Sequence, residues 1–253
     1  MTGDEGTLLF GIHAVAAALR ERPAAVRELC LAAPARNPRL QRLRQAAEAA
    51  GVTIRQVPRE TLDALAGGLR HQGVMARLDE NCRERGESGL ERLLDSLAES
   101  PLLLVLDGVQ DPHNLGACLR SAEAAGAHAV IVPRDRAAGL TPVARKVACG
   151  AAERLPFIQV TNLARTLRRL RDRGLWIVGA AGDAPRSLYD TDLRGPLVLV
   201  LGAEGRGLRR LTREHCDFLV AIPMAAGAES LNVSVAAGVC LFEARRQRVG
   251  RQD

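Results

Sequence analysis

Aromatic side chains are scarce, with four Phe, one Trp and one Tyr in 253 residues. A wide platform on which successive nucleobases stack needs a row of such rings, so recognition of that kind is disfavoured. Lysine is scarcer: Lys146 is the only one among 35 cationic residues. The net charge of +6 is therefore carried by Arg, whose planar fork grips phosphate at two points and stacks on bases. GC-rich coding produces the same bias, so Arg content alone designates no partner. No run approaches the ~18 apolar residues that a membrane helix needs. The opening MTGDEG also lacks the charged-then-apolar order of a secretory signal, so the expected compartment is the cytoplasm.

The six cysteines, at 30, 82, 118, 149, 216 and 240, include no C-x-x-C pair. His13, His71, His113, His128 and His215 complete no ligand spacing. Reduced thiols and no metal are expected. Cys118, Cys149 and Cys240 stand among Ala, Gly, Leu and Val, and are expected to be small buried apolar residues.

What is present is ample core material, 47% apolar, arranged in two patterns. Residues 10 to 78 alternate helix-like and strand-like pieces (GIHAVAAALRE, VRELCLA, NPRLQRLRQAAEAAG, VTIRQV, RETLDALAGG, GVMARL), which implies a small α/β unit. ENCRERGESG (Glu80 to Gly89) interrupts them with charge and Gly, as a linker does. The expected division is residues 1–79, a linker and connecting helix at 80–100, and a second domain at 101–253. In that domain LLLVL, HAVIVP, FIQV, LWIVGAA, LVLVLG and FLVAIP alternate with helical stretches. Such alternation implies a parallel sheet covered on both faces, with ligands at the carboxyl ends of its strands.

Three segments place polar groups where strands hand over to helices: NLGACLRSA (Asn114 to Ala122), LVLGAEGRGL (Leu199 to Leu208) and IPMAAGAESLNVSVAAGVCLFEA (Ile222 to Ala244). Asn114 starts an apparent helix, where it serves as an N-cap or as a site residue. GAEGRG by itself is a weak signal, because Gly-rich turns follow strands in many nucleotide sites and in ordinary tight turns. Ser230, Asn232 and Ser234 alternate before an apolar helix, and one of them would cap it in any soluble protein.

Together and in this order, the three segments resemble the SpoU (TrmH-like) branch of the SPOUT methyltransferases, which transfer methyl from S-adenosylmethionine to a ribose 2′-hydroxyl of RNA. The likeness extends over FGIHAV (Phe10 to Val15), HQGVMAR (His71 to Arg77), DGVQDPHNLGACLRSAEAAG (Asp107 to Gly126), KVACGAAE (Lys146 to Glu153) and LRRLTREHCD (Leu208 to Asp217). Those stretches are similar to members that modify a guanosine in the peptidyl-transferase P-loop of bacterial 23S rRNA.

The resemblance implies an α/β fold whose C-terminal domain is a trefoil knot, preceded by a smaller L30e/L7Ae-like RNA-binding domain. It implies catalytic roles for Asn114, Arg120, Glu204, Ser230 and Asn232. Gly202, Gly207, Ile222, Met224 and Leu231 would hold S-adenosylmethionine, and no metal is required. A guanidinium keeps its proton at neutral pH, so Arg120 is expected to bind the neighbouring phosphate and steady the 2′-oxyanion, not to act as a simple base. The implied partners are 23S rRNA or a pre-ribosomal particle and a second copy of the chain. His71 and His113 are candidate RNA contacts, with a structural or surface role the alternative. Rival readings are the same chemistry on tRNA, and a non-catalytic rRNA-binding or ribosome-assembly protein. One departure from the family pattern is Ala226 where Gly is usual, which matters if the backbone there needs positive φ; Thr141-Pro142 is a milder one.

Overall fold

The computed structural model describes residues 7–34, 37–79, 86–226 and 230–249. They form two compact units, the first drawn from residues up to 84 together with Leu140–Arg154, the second from residues 85–139 and 155 onward.

The first unit begins with β1 (Thr7–Phe10), α1 (Ile12–Glu21) and β2 (Val26–Ala32), and continues through α2 (Pro38–Ala49), β3 (Thr53–Val57), α3 (Arg59–Ala66) and β4 (Val74–Leu78). Its sheet has the order β1-β4-β2-β3, with β4 antiparallel to both neighbours and β2 parallel to β3. Side chains alternate across a strand, and the core follows that period. Leu9, Leu29, Leu31, Val74 and Ala76 pack with Val15 and Leu19 of α1 and with Leu40 and Leu43 of α2. Their neighbours Phe10, Cys30 and Met75 face the other way, onto Leu62 and Ala66 of α3. The sequence pattern anticipates these elements except β1, whose four residues are too few to show a period.

The second unit opens with α4 (Glu87–Ser96), β5 (Leu102–Asp107), α5 (Pro112–Ala125) and β6 (Ala129–Pro133). Next in the chain are α6 (Pro142–Val147) and α7 (Ala151–Arg154), which belong to the first unit, where α7 packs on α1 and α6 on β1. A buried ion cluster accompanies them: Glu153, 3% exposed, meets both Arg22 and the 2%-exposed Arg145. The second unit resumes with β7 (Phe157–Val160), α8 (Leu163–Asp172), β8 (Trp176–Ala180), β9 (Arg186–Ser187), β10 (Leu197–Gly202), α9 (Arg210–Glu214), β11 (Phe218–Ala221) and α10 (Val233–Val249).

Its seven strands lie in the order β7-β6-β5-β10-β8-β11-β9 and every pairing is parallel. Every residue of β5 is buried, as a strand covered on both faces requires. One face packs on Leu90 and Leu94 of α4 and on Leu163, Leu167 and Leu170 of α8. Across the other lie α5 and α10, which also pack on each other. Acidic residues at 87, 91 and 95 meet Arg165, Arg169 and Arg173, both sets spaced by four, one helical turn. That ladder fastens α4 along α8. The parallel sheet agrees with the sequence pattern; only the two-residue β9 had no signal.

Burial of the thiols differs in part from expectation. Cys118 and Cys240 are buried, but Cys149 is exposed. It sits in a turn after α6 at φ 52, so its apolar neighbours in sequence are not its neighbours in space. Cys82 lies outside the described residues, as does most of the charged stretch that contains it.

Candidate active site

β10 comes late in the chain yet lies between β5 and β8, and this aligns the carboxyl ends Asp107, Gly202 and Ala180, with Ala221 beyond. From β10 the chain folds back on itself, the Gly207 N–H donating to the Ala203 carbonyl at 2.9 Å. The return requires left-handed backbone at Gly205 (φ 73) and Gly207 (φ 61). A Cβ on Gly202 would lie 2.0 Å from the Gly207 carbonyl carbon, so only glycine fits there. This turn presents Glu204.

Glu204 joins the three polar segments. Its Oε1 accepts from Asn114 Nδ2 at 3.1 Å, from Asn232 Nδ2 at 2.6 Å and from the Val233 N–H at 3.3 Å. Asn232 Nδ2 also donates to Asn114 Oδ1 at 3.0 Å. The Asn232 Oδ1 in turn accepts from the Ser234 N–H at 2.9 Å and from Ser234 Oγ at 2.6 Å. Asn232 thus caps α10 with its oxygen and holds Glu204 with its amide. Asn114, in contrast, caps nothing: the cap of α5 is Asp111, whose side chain accepts from the His113 N–H. Asn114 sits within the first turn of that helix, so its side chain is free to reach across to Glu204.

Beside this network lies a cleft of about 370 Å³, within the ~300–1,000 Å³ of small-molecule sites. Gly202, Glu204, Gly207, Ile222, Met224, Ser230 and Leu231, all expected at the site, line it. Leu201, Val220, Ile222 and Leu231 offer apolar surface to a flat ring, and the glycines let backbone approach a ligand closely. These features fit a nucleoside-bearing methyl donor. Positive φ among the described non-glycine residues occurs at Gln72, Arg136 and Cys149, and not at Ala226. Gly227, next to it, lies outside the described residues.

Arg120 stands apart. It is exposed on α5 and is not among the residues that line the cleft. Its spacing of six from Asn114 turns it by about 240° around the helix. Four contributors escaped sequence reasoning. Asp107, 1% exposed at the end of β5, accepts from the Arg209 N–H at 2.9 Å and lies 2.6 Å from Arg209 Nε, which pins the chain leaving the glycine turn to the neighbouring strand. Asp183 and Arg213 line the cleft and pair through two hydrogen bonds of 3.0 and 2.9 Å. Arg213 holds the Asp183 carboxyl below its ordinary range. Asp107, Arg209 and Arg213 lie in stretches that carry the family resemblance, but nothing there singles them out, since the members of each pair stand 102 and 30 residues apart in the chain.

The nearby thiols are not poised for chemistry. Burial, with a smaller contribution from the Glu204 charge, pushes Cys118 up to about 12. Cys216 is raised to about 12, again mainly by burial, with Asp217 and Asp107 adding to it. A thiol held protonated is no nucleophile. The site therefore offers positioned amides, hydroxyls and one shared carboxylate.

Residues 101–242 match the SpoU rRNA Methylase family, and residues 8–81 match the RNA 2′-O ribose methyltransferase substrate-binding family. The chain is 57% identical over 244 residues to the 23S rRNA (guanosine-2′-O-)-methyltransferase RlmB of Pseudomonas syringae pv. tomato, covering 96% of this chain and 97% of the relative. With the enzyme of the same name from Escherichia coli it shares 55% identity over 241 residues, covering 95% and 98%. Among solved structures, the SpoU methyltransferase AviRb from Streptomyces viridochromogenes in complex with AdoMet superposes with a TM-score of 0.81 at 26% identity, covering 96% of this chain and 90% of that one.

Proposed function

The chain belongs to the SpoU rRNA methylase family, and on that premise we propose that its cleft methylates the 2′-hydroxyl of the P-loop guanosine of 23S rRNA. It is a 23S rRNA (guanosine-2′-O-)-methyltransferase with S-adenosylmethionine as methyl donor. The observation that carries the reading is the Asn114–Glu204–Asn232 network at the edge of a glycine-walled cleft.

The bound sulfonium supplies an activated methyl group; everything else required is alignment and management of one proton. In-line displacement gains most from holding the hydroxyl at the correct angle, and positioning is worth up to ~7–11 kcal/mol. Glu204 is proposed to lock the amides of Asn114 and Asn232 so that they and Ser230 present fixed hydrogen-bonding atoms to the ribose. Gly202, Gly207, Ile222, Met224 and Leu231 are proposed to hold the donor. Arg120, from its exposed position, is proposed to bind the phosphate beside the target ribose, steadying the 2′-oxygen as its proton departs.

Residues 1–79 are proposed to capture rRNA and 101–253 to carry out transfer, joined through 80–100. The matches at 8–81 and 101–242 support this division. The insertion of β10 between β5 and β8 is consistent with trefoil threading, which is part of the same proposal. So are a cytoplasmic location and self-association. For the latter, α10 carries Val235, Phe242 and Val249 at intervals of seven, exposed by 50%, 50% and 56%. A solvent-facing apolar stripe on the last helix suits a second copy.

The test incubates the protein with labelled S-adenosylmethionine and 23S rRNA lacking the P-loop methylation, then maps the label. Label at the P-loop guanosine is the expected outcome. Label only on tRNA would retain the chemistry and overturn the substrate. In the same assay Arg120→Ala should lose turnover while donor affinity stays within a few-fold; equal loss of both would show that Arg120 supports the pocket and not the RNA.

A further inference from the structure

The first unit contains a second cleft, of about 600 Å³, where the sequence motifs mark only His71 and Gln72. It is lined by the start of α2, by α3 and by the loop Gly68–Gln72 that leads into β4. Arg39, Arg59 and Arg70 line it, all three exposed. Among the described residues none of these three guanidinium groups has a carboxylate or hydrogen-bond partner. Several other arginines of this unit are paired, among them Arg27 with Asp79, Arg44 with Glu48, and Arg55 with Glu28.

The single carboxylate of the cleft is already engaged. His71, 3% exposed, accepts the Gly73 N–H through Nδ1 at 3.1 Å, so its Nε2 carries the hydrogen that meets Asp63 Oδ1 at 2.8 Å. Its neighbour Gln72, at φ 56, turns its Oε1 onto the Ile12 N–H at 3.0 Å. The loop carrying Arg70 is thereby tied to α3 on one side and to the start of α1 on the other. The loop is held at both ends, and among the described residues no partner meets the three guanidinium groups.

We propose that Arg39, Arg59 and Arg70 form a phosphate clamp for the sugar–phosphate backbone of the rRNA substrate. The inference rests on the reading of the chain as an rRNA methyltransferase and assigns the grip to these residues. Backbone and not base is the target, because no Phe, Tyr or Trp is among the residues lining the cleft and the one ring there, His71, is buried and held by Asp63 and Gly73, while the guanidinium forks match phosphate oxygens. Neutralising phosphates releases counterions, so the clamp adds affinity that falls with salt and carries little sequence information.

The test uses the full chain, with R39Q, R59Q and R70Q singly and combined, and R44Q as a control on the same helix as Arg39. Affinity for a 23S rRNA fragment containing the P-loop is measured against salt, alongside donor affinity and turnover at saturating RNA. Each single change should lower the salt slope by about one, and the triple variant should weaken RNA binding by roughly tenfold to a hundredfold. Donor affinity and kcat should stay within about twofold, as should all properties of R44Q. An unchanged slope and RNA affinity in the triple variant, with wild-type methylation intact, would overturn the clamp and leave the activity standing. A reduced slope in a protein whose wild type labels no rRNA would do the reverse. Loss of kcat or donor affinity in step with RNA binding would also overturn the clamp, since it would trace the effect to the fold.

Discussion

The two clefts of this molecule treat their polar groups in opposite ways. In the second unit, Asn114, Glu204 and Asn232 satisfy one another before any ligand arrives. In the first, three arginines line a cavity, and among the described residues their guanidinium groups have no hydrogen-bond or carboxylate partner. The difference follows from the tasks. Displacement at a methyl carbon depends on angles and distances, and internal hydrogen bonds fix those in advance. Gripping a polyanion depends on charge, and a guanidinium already paired with a carboxylate has little left for phosphate.

Four experiments press on that contrast. The largest effect is expected in the framework of the first unit, where Glu153→Ala strands Arg145 and Arg22 without their shared carboxylate. Breaking a buried ion pair costs ~3–5 kcal/mol, to be read from denaturant unfolding; a smaller change than the conversion of Arg27 or Arg55 to Gln would show that the cluster is hydrated. Next is Glu204→Ala, which removes the common acceptor of the catalytic network. It should lower methylation by about 10²–10³-fold, the scale of losing a preorganised polar group at a reacting centre. Retention of full activity would mean that the two Asn side chains hold their places unaided.

Asp107→Asn keeps the size of the strand-end residue but loses the charge facing Arg209. Donor affinity should fall by about tenfold, equal to ~1.4 kcal/mol and in the range of one charge-assisted hydrogen bond, with RNA affinity unaltered. The smallest effect concerns the α4–α8 ladder in acid. The hydrogen bond from Arg165, with the charges of Arg165 and Arg169, holds the Glu87 carboxyl below its ordinary 4.5. A depressed carboxylate stabilises the fold above the unfolded value, and that stability is lost as pH falls from about 4.5 through the folded value. The melting temperature should therefore drop on acidification below about pH 4.5 by slightly less in Glu87→Gln than in the wild type; identical profiles would show that the ladder contributes nothing.

Much of the fold was legible along the chain. The alternating core of the first unit follows from residue pairs such as Leu29 and Cys30, which a strand must send to opposite faces. Runs such as LLLVL, alternating with helical stretches, read as strands buried on both sides, as β5 is. The glycine turn, Glu204 and Asn232 could be marked from segment motifs and family resemblance. Asn114 showed the limit of local reasoning: its place at a helix start suggested a cap, but Asp111 takes that task. Cys149 showed another, since burial depends on what packs over a residue and not on its flanking types.

The sequence by itself determined the alternation of strands and helices, the composition of both cores and the family, because periodicity and short motifs are properties of adjacent residues. Only the tertiary structure decided that Asn114 meets Glu204 and Asn232 across 90 and 118 residues. It also decided that Leu140–Arg154 joins the first unit, and that Arg39, Arg59 and Arg70 share a cleft in which no described residue pairs with their guanidinium groups. Those outcomes depend on β10 entering between two earlier strands and on α6 and α7 finding β1 and α1. Contacts so distant in sequence are set by how whole elements pack, and that information is not carried in any one segment.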